Sequence, residues 1–268
     1  MISMAHEVTM NSRKLFTCIV ILILLSVSLM PLAAESPSDG ESFIYTFPGD
    51  GDMNTLVFTF SLEKEGYVLT DAPYCYGELV IPGEINSYSV VEIGDYVFYG
   101  NRNLTGELYL PSTVRRIGEY AFSDCSLEGD IFIPSSVEEI GKGAFSDSSF
   151  NGGLYINERL TVISEYAFAN TELTGSLIIG GNIREIEEGA FMNCDFSGDL
   201  ILSEGLESIG AYAFEGNEKL DCDIVLPSTL ASLTASVFNY CTGLNGHYIM
   251  NSRGSYVMRG LEKVEVNN

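Results

Sequence analysis

Phenylalanine recurs at positions 98, 122, 145, 168, 191, 214 and 238, at intervals of 24, 23, 23, 23, 23 and 24 residues. A fixed period of this size marks a supersecondary unit that cannot bury its apolar side alone and therefore stacks on copies of itself. Each Phe closes a six-residue block. The blocks are Ile93-Gly-Asp-Tyr-Val-Phe98, Ile117-Gly-Glu-Tyr-Ala-Phe122, Ile140-Gly-Lys-Gly-Ala-Phe145, Ile163-Ser-Glu-Tyr-Ala-Phe168, Ile186-Glu-Glu-Gly-Ala-Phe191, Ile209-Gly-Ala-Tyr-Ala-Phe214 and Leu233-Thr-Ala-Ser-Val-Phe238.

A second block precedes each of these, of the form apolar-x-Gly-x-apolar-x-apolar and often followed by Pro. Leu104-Thr-Gly-Glu-Leu-Tyr-Leu-Pro111 and Leu127-Glu-Gly-Asp-Ile-Phe-Ile-Pro134 are examples. A third, apolar-x-x-apolar, runs from Val114 to Ile117 and from Val137 to Ile140. Leu108 and Leu110 alternate with Glu107 and Tyr109, the period-2 pattern of a strand with one buried face. Pro111 and Pro134 end such strands because Pro cannot donate to a ladder. Ala at 121, 144, 167, 190 and 213 fits a tight turn packed inside. Stacked coils bury Leu, Ile, Ala and Phe as columns. About seven and a half coils at ~4.8 Å each predict a solenoid roughly 35 Å long. Asn157, Gly180 and Ser203 stand where the Pro is expected, which predicts looser turns there.

Ile133-Pro-Ser-Ser-Val-Glu-Glu-Ile-Gly-Lys-Gly-Ala-Phe145 resembles the signature of the BspA-type leucine-rich repeat along its whole length. The resemblance covers residues 77–250 and departs from the pattern at Leu233-Thr234. It implies a mostly β, right-handed leucine-rich-repeat solenoid. It also implies an exported or surface-displayed, non-catalytic protein linked to adhesion, although a fold does not fix a function.

Around the repeats, residues 1–34 read as a signal peptide: Arg13 and Lys14, a sixteen-residue apolar stretch, then Ala33-Ala34. An uncleaved anchor is the alternative. Residues 35–42 read as a linker and 43–76 as a capping hairpin with its turn at Glu63-Lys-Glu-Gly66. Residues 251–268 read as a C-terminal cap or tail. Three extra residues around Asn86 predict a bulging loop.

Composition then narrows the partners. The net charge of −24 repels the phosphates of nucleic acid and of anionic membranes, so neither is expected as a partner, nor is membrane insertion after signal removal. Cys125, Cys194 and Cys241 each follow the repeat Phe by three residues, a slot that elsewhere holds Asn101, Ser148, Thr171 and Asn217. A small hydrogen-bonding group suits a turn whose backbone points inward. Cys75 and Cys222 lie elsewhere, and pairing among Cys194, Cys222 and Cys241 stays open. No metal site or cofactor is expected. Asp50, Asp52 and Asn54 open like a calcium loop, but Thr55 replaces the required Gly and Ser61 the required Glu. His247 is the only His after the signal, and no catalytic residue is assigned. Asn103-Leu104-Thr105 is a glycosylation sequon. Glu92, Arg116 and Glu139 share a column, and Arg115 with Glu138 and Arg184 with Glu207 predict ion pairs between coils.

If Leu108 and Leu110 face inward, Tyr109 faces outward. Its equivalents are Val80, Phe132, Tyr155, Ile178, Ile201, Val225 and Ile249, all apolar or aromatic. Beside them run Glu78, Glu107, Asp130, Gly153, Ser176, Asp199, Asp223 and His247. An apolar stripe with an acidic edge fits a binding surface for a host or cell-surface protein or glycan; β-branched and aromatic residues that stabilise a solvated sheet by cross-strand packing are the other reading of the same row. A self-associating envelope component and a secreted carboxylate hydrolase are the alternatives.

Overall fold

The computed structural model describes residues 36–48, 53–233, 236–251, 254–259 and 262–266. The expected signal peptide lies outside them. The chain divides into two units, Met1–Pro37 and Ser38–Asn268, and every described strand belongs to the second.

The repeats form a β-solenoid of short parallel strands. On one side run the apolar-x-apolar segments. They pair in couples: Gly77–Val80 with Leu104–Tyr109, Ile131–Phe132 with Leu154–Tyr155, and Leu177–Ile179 with Leu200–Leu202. On a second side, Tyr88–Ile93, Arg116–Ile117 and Glu139–Ile140 form one ladder. Val162–Ile163, Glu185–Ile186, Ser208–Ile209 and Ser232–Leu233 form another.

The third side is the Ala-Phe turn, and it carries the stack. The Phe98 amide donates to the Ala121 carbonyl of the next coil at 2.9 Å. Phe122 does the same to Ala144 (2.7 Å), Phe145 to Ala167 (2.9 Å), Phe168 to Ala190 (2.9 Å) and Phe191 to Ala213 (2.8 Å). The seven rings form an unbroken column. Successive centroids lie 5.2–5.6 Å apart with planes within 12° of parallel. Offset-parallel rings at this distance are attractive beyond the area they bury, by about 0.5–1.5 kcal/mol per pair. Every Ala beside them is fully buried, and the first and last repeats place Val97 and Val237 in the same position.

Two slots in this turn take left-handed backbone. One holds Tyr96, Tyr120, Gly143, Tyr166, Gly189 and Tyr212, all with φ between 50° and 61°. A side chain at Gly143 would overlap the Tyr120 ring, and one at Gly189 the Tyr166 ring. Tyr120 and Tyr166 thus lie over a coil that offers no Cβ, whereas Tyr96 stacks on the Tyr120 ring at 5.3 Å. The other slot, two residues after the Phe, holds Gly100, Asp124, Asp147, Asn170, Asn193 and Gly216, residue types that tolerate positive φ, and Tyr240, which takes it at φ 58°.

The slot three residues after the Phe ties coils together from within. Cys125 Sγ donates to the Phe98 carbonyl (3.0 Å), Cys194 to Phe168 (3.2 Å) and Cys241 to Phe214 (3.0 Å). Ser148 reaches the Phe122 carbonyl at 2.5 Å and Asn217 the Phe191 carbonyl at 2.8 Å. Among the described residues, all five cysteines are free and buried. Burial pushes the thiol of Cys75 up to about 11 and those of Cys125, Cys194 and Cys241 to about 12. They serve as small interior donors.

Several expectations need correction. Asn157 does not loosen its turn. Its amide nitrogen donates to the carbonyls of Pro134 (2.6 Å) and Val137 (2.9 Å), and its oxygen accepts the amides of Arg159 (2.6 Å) and Leu160 (3.1 Å). Side-chain hydrogen bonds thus brace what a pyrrolidine ring would have stiffened. Glu138 pairs with Arg159 (2.8 Å) rather than Arg115, while Arg184–Glu207 forms as expected at 2.6 Å. Arg116 spans its column, bonding Glu92 (2.9 Å), Asp95 (2.9 Å) and Glu139 (3.0 Å). The extra residues near Asn86 fold as a small hairpin, Glu84–Ile85 against Tyr88–Ser89. Asn86 and Ser87 are both left-handed, the geometry of a two-residue turn.

Before the repeats, β1 (Ser42–Pro48), β2 (Met53–Ser61) and β3 (Gly66–Tyr74) form an antiparallel meander. β3 runs parallel beside Tyr88–Ile93, so the meander continues the sheet of the second side and sends Leu56, Phe58 and Phe60 into the shared core. After the repeats, Tyr248–Asn251 pairs parallel with Ile224–Val225 and then turns into Gly254–Arg259 and Glu262–Val266.

Candidate functional site

The apolar-x-apolar strands build the surface of interest. Each sends two side chains inward and the one between them out. Leu177 and Ile179 are buried while Ile178 stands outside, and Leu200 and Leu202 flank an exposed Ile201 in the same way. The outward set Val80, Tyr109, Phe132, Tyr155, Ile178, Ile201 and Val225 is 40–60% exposed. Register brings them side by side in pairs: Val80 with Tyr109, Phe132 with Tyr155, and Ile178 with Ile201. The Phe132 and Tyr155 rings are stacked, 4.5 Å apart and within 7° of parallel.

Ile249 does not belong to this set. It pairs with Ile224, not Val225, and is only 1% exposed. The motif aligned Gly246 with Cys222. Leu220 and Leu244 are both buried, and Ile249 pairs with Ile224, so the stretch from Leu244 to Ile249 holds one residue more than that from Leu220 to Ile224, and that slip moves Ile249 to the inward face.

The flanking column is less uniformly acidic than its residues suggest. Glu107 accepts a hydrogen bond from the Tyr109 hydroxyl and stays exposed. Asp130 is half-buried, its carboxylate accepting the Gly153 amide of the next coil at 2.6 Å. Gly153 lies under the Tyr155 ring. Ser176 Oγ accepts the Asp199 amide at 3.0 Å, leaving the Asp199 carboxylate exposed. Exposed acid therefore concentrates at the ends of the stripe, at Glu78 and Glu107 and again at Asp199, Asp221 and Asp223.

His247 lies at the second of these ends. Its Nε2 is 2.7 Å from Asp221 and its Nδ1 3.0 Å from Asp223. The hydrogen bond with Asp221, then that with Asp223, raise its pKa above the ordinary imidazole value. With both ring nitrogens held by carboxylates, neither faces a nucleophile.

Of the calcium-like segment, Asp50 and Asp52 lie outside the described residues. Asn54 is fully buried and spends its side chain on the Tyr76 backbone, donating to the carbonyl (2.9 Å) and accepting the amide (2.8 Å). Among the described residues, no group of three His, Cys, Asp or Glu is placed to hold a metal ion.

Sequence reasoning missed a wide, polar cleft of about 450 Å³ on the turn side, bordered by Tyr99, Arg102, Asp124, Asp147 and Asn170. Arg102 bonds Asp124 at 2.7 Å, and Asn193 donates to Asn170 and Asn170 to Asp147, each at 2.9 Å. The signal for it is the left-handed slot after the Phe, whose Asp and Asn recur at the repeat period.

A solenoid of 23-residue coils with this strand, turn and phenylalanine column defines a leucine-rich-repeat protein. The profile of the family described as BspA type leucine rich repeat region matches six copies over residues 78–197 and 128–245. The chain belongs to that family. Among solved structures, a leucine-rich repeat protein from Bacteroides ovatus is 17% identical, with 71% of this chain and 68% of that one covered and a TM-score of 0.39. A leucine rich cell surface protein from Faecalibacterium prausnitzii is 18% identical. There 88% of this chain covers 62% of that one, with a TM-score of 0.47. The T. pallidum leucine rich repeat protein is 18% identical over 73% of this chain and 79% of that one, at a TM-score of 0.32. These likenesses bear on the fold alone. A search of the curated proteins found no match. Among the described residues, no helix is long and apolar enough to cross a membrane.

Proposed function

We propose that the chain is an exported, non-catalytic binding protein of the cell surface that attaches to a protein or glycan through the outward stripe of its solenoid. The observation that carries this reading is the alignment of seven apolar or aromatic side chains, 40–60% exposed, on one face of the stack. Isolated exposed apolar residues, such as Ile44, Leu62, Tyr74 and Tyr99 elsewhere in this chain, are ordinary, but a row of them on one face marks an interaction surface. The phenylalanine column, the turn hydrogen bonds and the buried slot hold the coils together; from the stripe, the Phe132–Tyr155 stack adds a contact between two coils. The engagement of both His247 nitrogens supports the non-catalytic part. The signal-like pattern of residues 1–34 supports the export.

The test is the triple variant Tyr109→Ser, Phe132→Ser, Tyr155→Ser. It is expected to keep its strand content and lose attachment to cells or matrix. A folded triple variant that attaches as well as the parent overturns the reading.

A further inference from the structure

We propose that the occupant of the stripe is a cationic amphipathic α-helix of a protein partner, laid along the stack of coils. This rests on the binding reading above and narrows it to one ligand chemistry. Three features of the surface argue for it.

The first is which part of each ring is on offer. Phe132 and Tyr155 are stacked face to face, so their planes lie across the stack and their edges point to solvent. A sugar ring packs on an aromatic face, and here each of the two rings has one face covered by the other. What remains is a ridge of ring edges, followed by the aliphatic tips of Ile178, Ile201 and Val225. Such a ridge fits aliphatic side chains.

The second is pitch. On the stripe side neighbouring strands stand ~4.8 Å apart, and the Phe132 and Tyr155 rings are 4.5 Å apart. A helix climbs ~5.4 Å per turn, so over six coils its apolar residues three and four apart drift by less than one coil, about 4 Å. Same-face residues of a strand recur every ~6.6–6.8 Å and drift by more than two coils, roughly 11–12 Å. A helix of about 20 residues matches the length of the stripe.

The third is charge. Exposed carboxylates stand at both ends of one flank, Glu78 and Glu107 at one and Asp199, Asp221 and Asp223 at the other. The opposite flank runs through the uncharged Pro111, Pro134, Asn157, Gly180 and Ser203, and of the charges just beyond it Arg159 is paired with Glu138 and Glu204 is bonded to Ser228. The complement is a helix with Lys or Arg along one side near both its ends. The net charge of −24 opposes a second copy on the same face, and an acidic polysaccharide as well.

The test titrates the full-length protein with a synthetic 21-residue peptide, Leu at every third and fourth position and Lys along one flank. A scrambled peptide of the same composition is the control. Binding is read by fluorescence anisotropy and helicity by circular dichroism. The ordered peptide is expected to bind, gain helicity on binding, and bind at least about tenfold more tightly than the scramble. The Tyr109/Phe132/Tyr155→Ser variant is expected to lose that advantage. The variant Glu107→Gln, Asp199→Asn is expected to weaken binding and flatten its salt dependence. Equal binding of ordered and scrambled peptides overturns the proposal, because attraction by charge alone then explains it. So does competition by a neutral glycan. If the peptide does not bind while the triple serine variant still loses attachment to cells, the helix is wrong and the binding surface stands. If that variant also attaches normally, both fail.

Discussion

The phenylalanine column and the outward stripe are built by the same repeat from similar material, yet they follow different rules. Inside, seven coils use the same residue, and its ring is at most 4% exposed. Outside, seven coils use Val, Tyr, Phe, Tyr, Ile, Ile and Val. A buried corner of fixed shape accepts one side chain because cavities and overpacking both cost stability. A solvated ridge accepts anything apolar, so its identity is free to be set by what it touches. Variation at constant hydrophobicity is what separates a contact surface from a core.

The sharpest way to break this contrast is to truncate both sides of the same array. Phe168→Ala opens a cavity between two stacked rings and is expected to cost about 3–5 kcal/mol, read by urea denaturation. Ile178→Ala, on the outside, is expected to stay within about 0.5 kcal/mol. Similar losses at the two positions would mean the stripe is structural after all.

Gly143→Ala comes next. It places a Cβ at φ 59° and against the Tyr120 ring. A loss of about 2 kcal/mol or more is expected from the left-handed backbone and the clash together. Adding Tyr120→Gly removes the clash and leaves the backbone cost, so the double variant is expected to recover part of the loss. A purely additive result would show that the tyrosine does not depend on its glycine.

The smallest effect belongs to His247, at the acidic end of the stripe. Its folded pKa is raised, so its hydrogen bonds with Asp221 and Asp223 stabilise the fold fully below the ordinary imidazole value of about 6.5. That contribution fades as pH rises through the higher folded value. Melting curves of the parent and His247→Gln are expected to differ most near pH 5.5 and to converge at about pH 8.5. A gap that widens with pH would refute the pairing.

Much of this was legible because two periods coincide in the chain. The interval of 23 places the repeat Phe and Ala in one corner, and the strand period of 2 assigns Tyr109, Phe132 and Ile178 to the outside. Three things were not legible. Ile249 slipped inward because one extra residue lies between Leu244 and Ile249, and a one-residue slip flips a strand. Asn157 looked like a lost Pro, since the sequence does not show that an amide can satisfy four backbone groups at once. The Tyr120–Gly143 and Tyr166–Gly189 pairs escaped because they join different coils, and the positive φ that unites them leaves only a faint trace in residue type. For the site, the stripe's position was readable. The uneven acidity beside it was not, because it depends on which carboxylates are spent on neighbouring amides.

The Phe amides donate to the following coil, five of them to an Ala carbonyl and Phe214 to that of Val237, while the cysteines and ladder amides donate back to the preceding one. A stack joined by the same few links at each step has a mechanical character. Pulled from its ends, it has no single strongest joint, and it opens from the terminal coil inward. Each coil that opens frees about 23 residues, roughly 75–80 Å of extended chain, before the next bears load. Force-extension traces are expected to show repeated steps of that size. A tether built this way lengthens under shear in small equal increments and keeps most of its ridge intact while it does so.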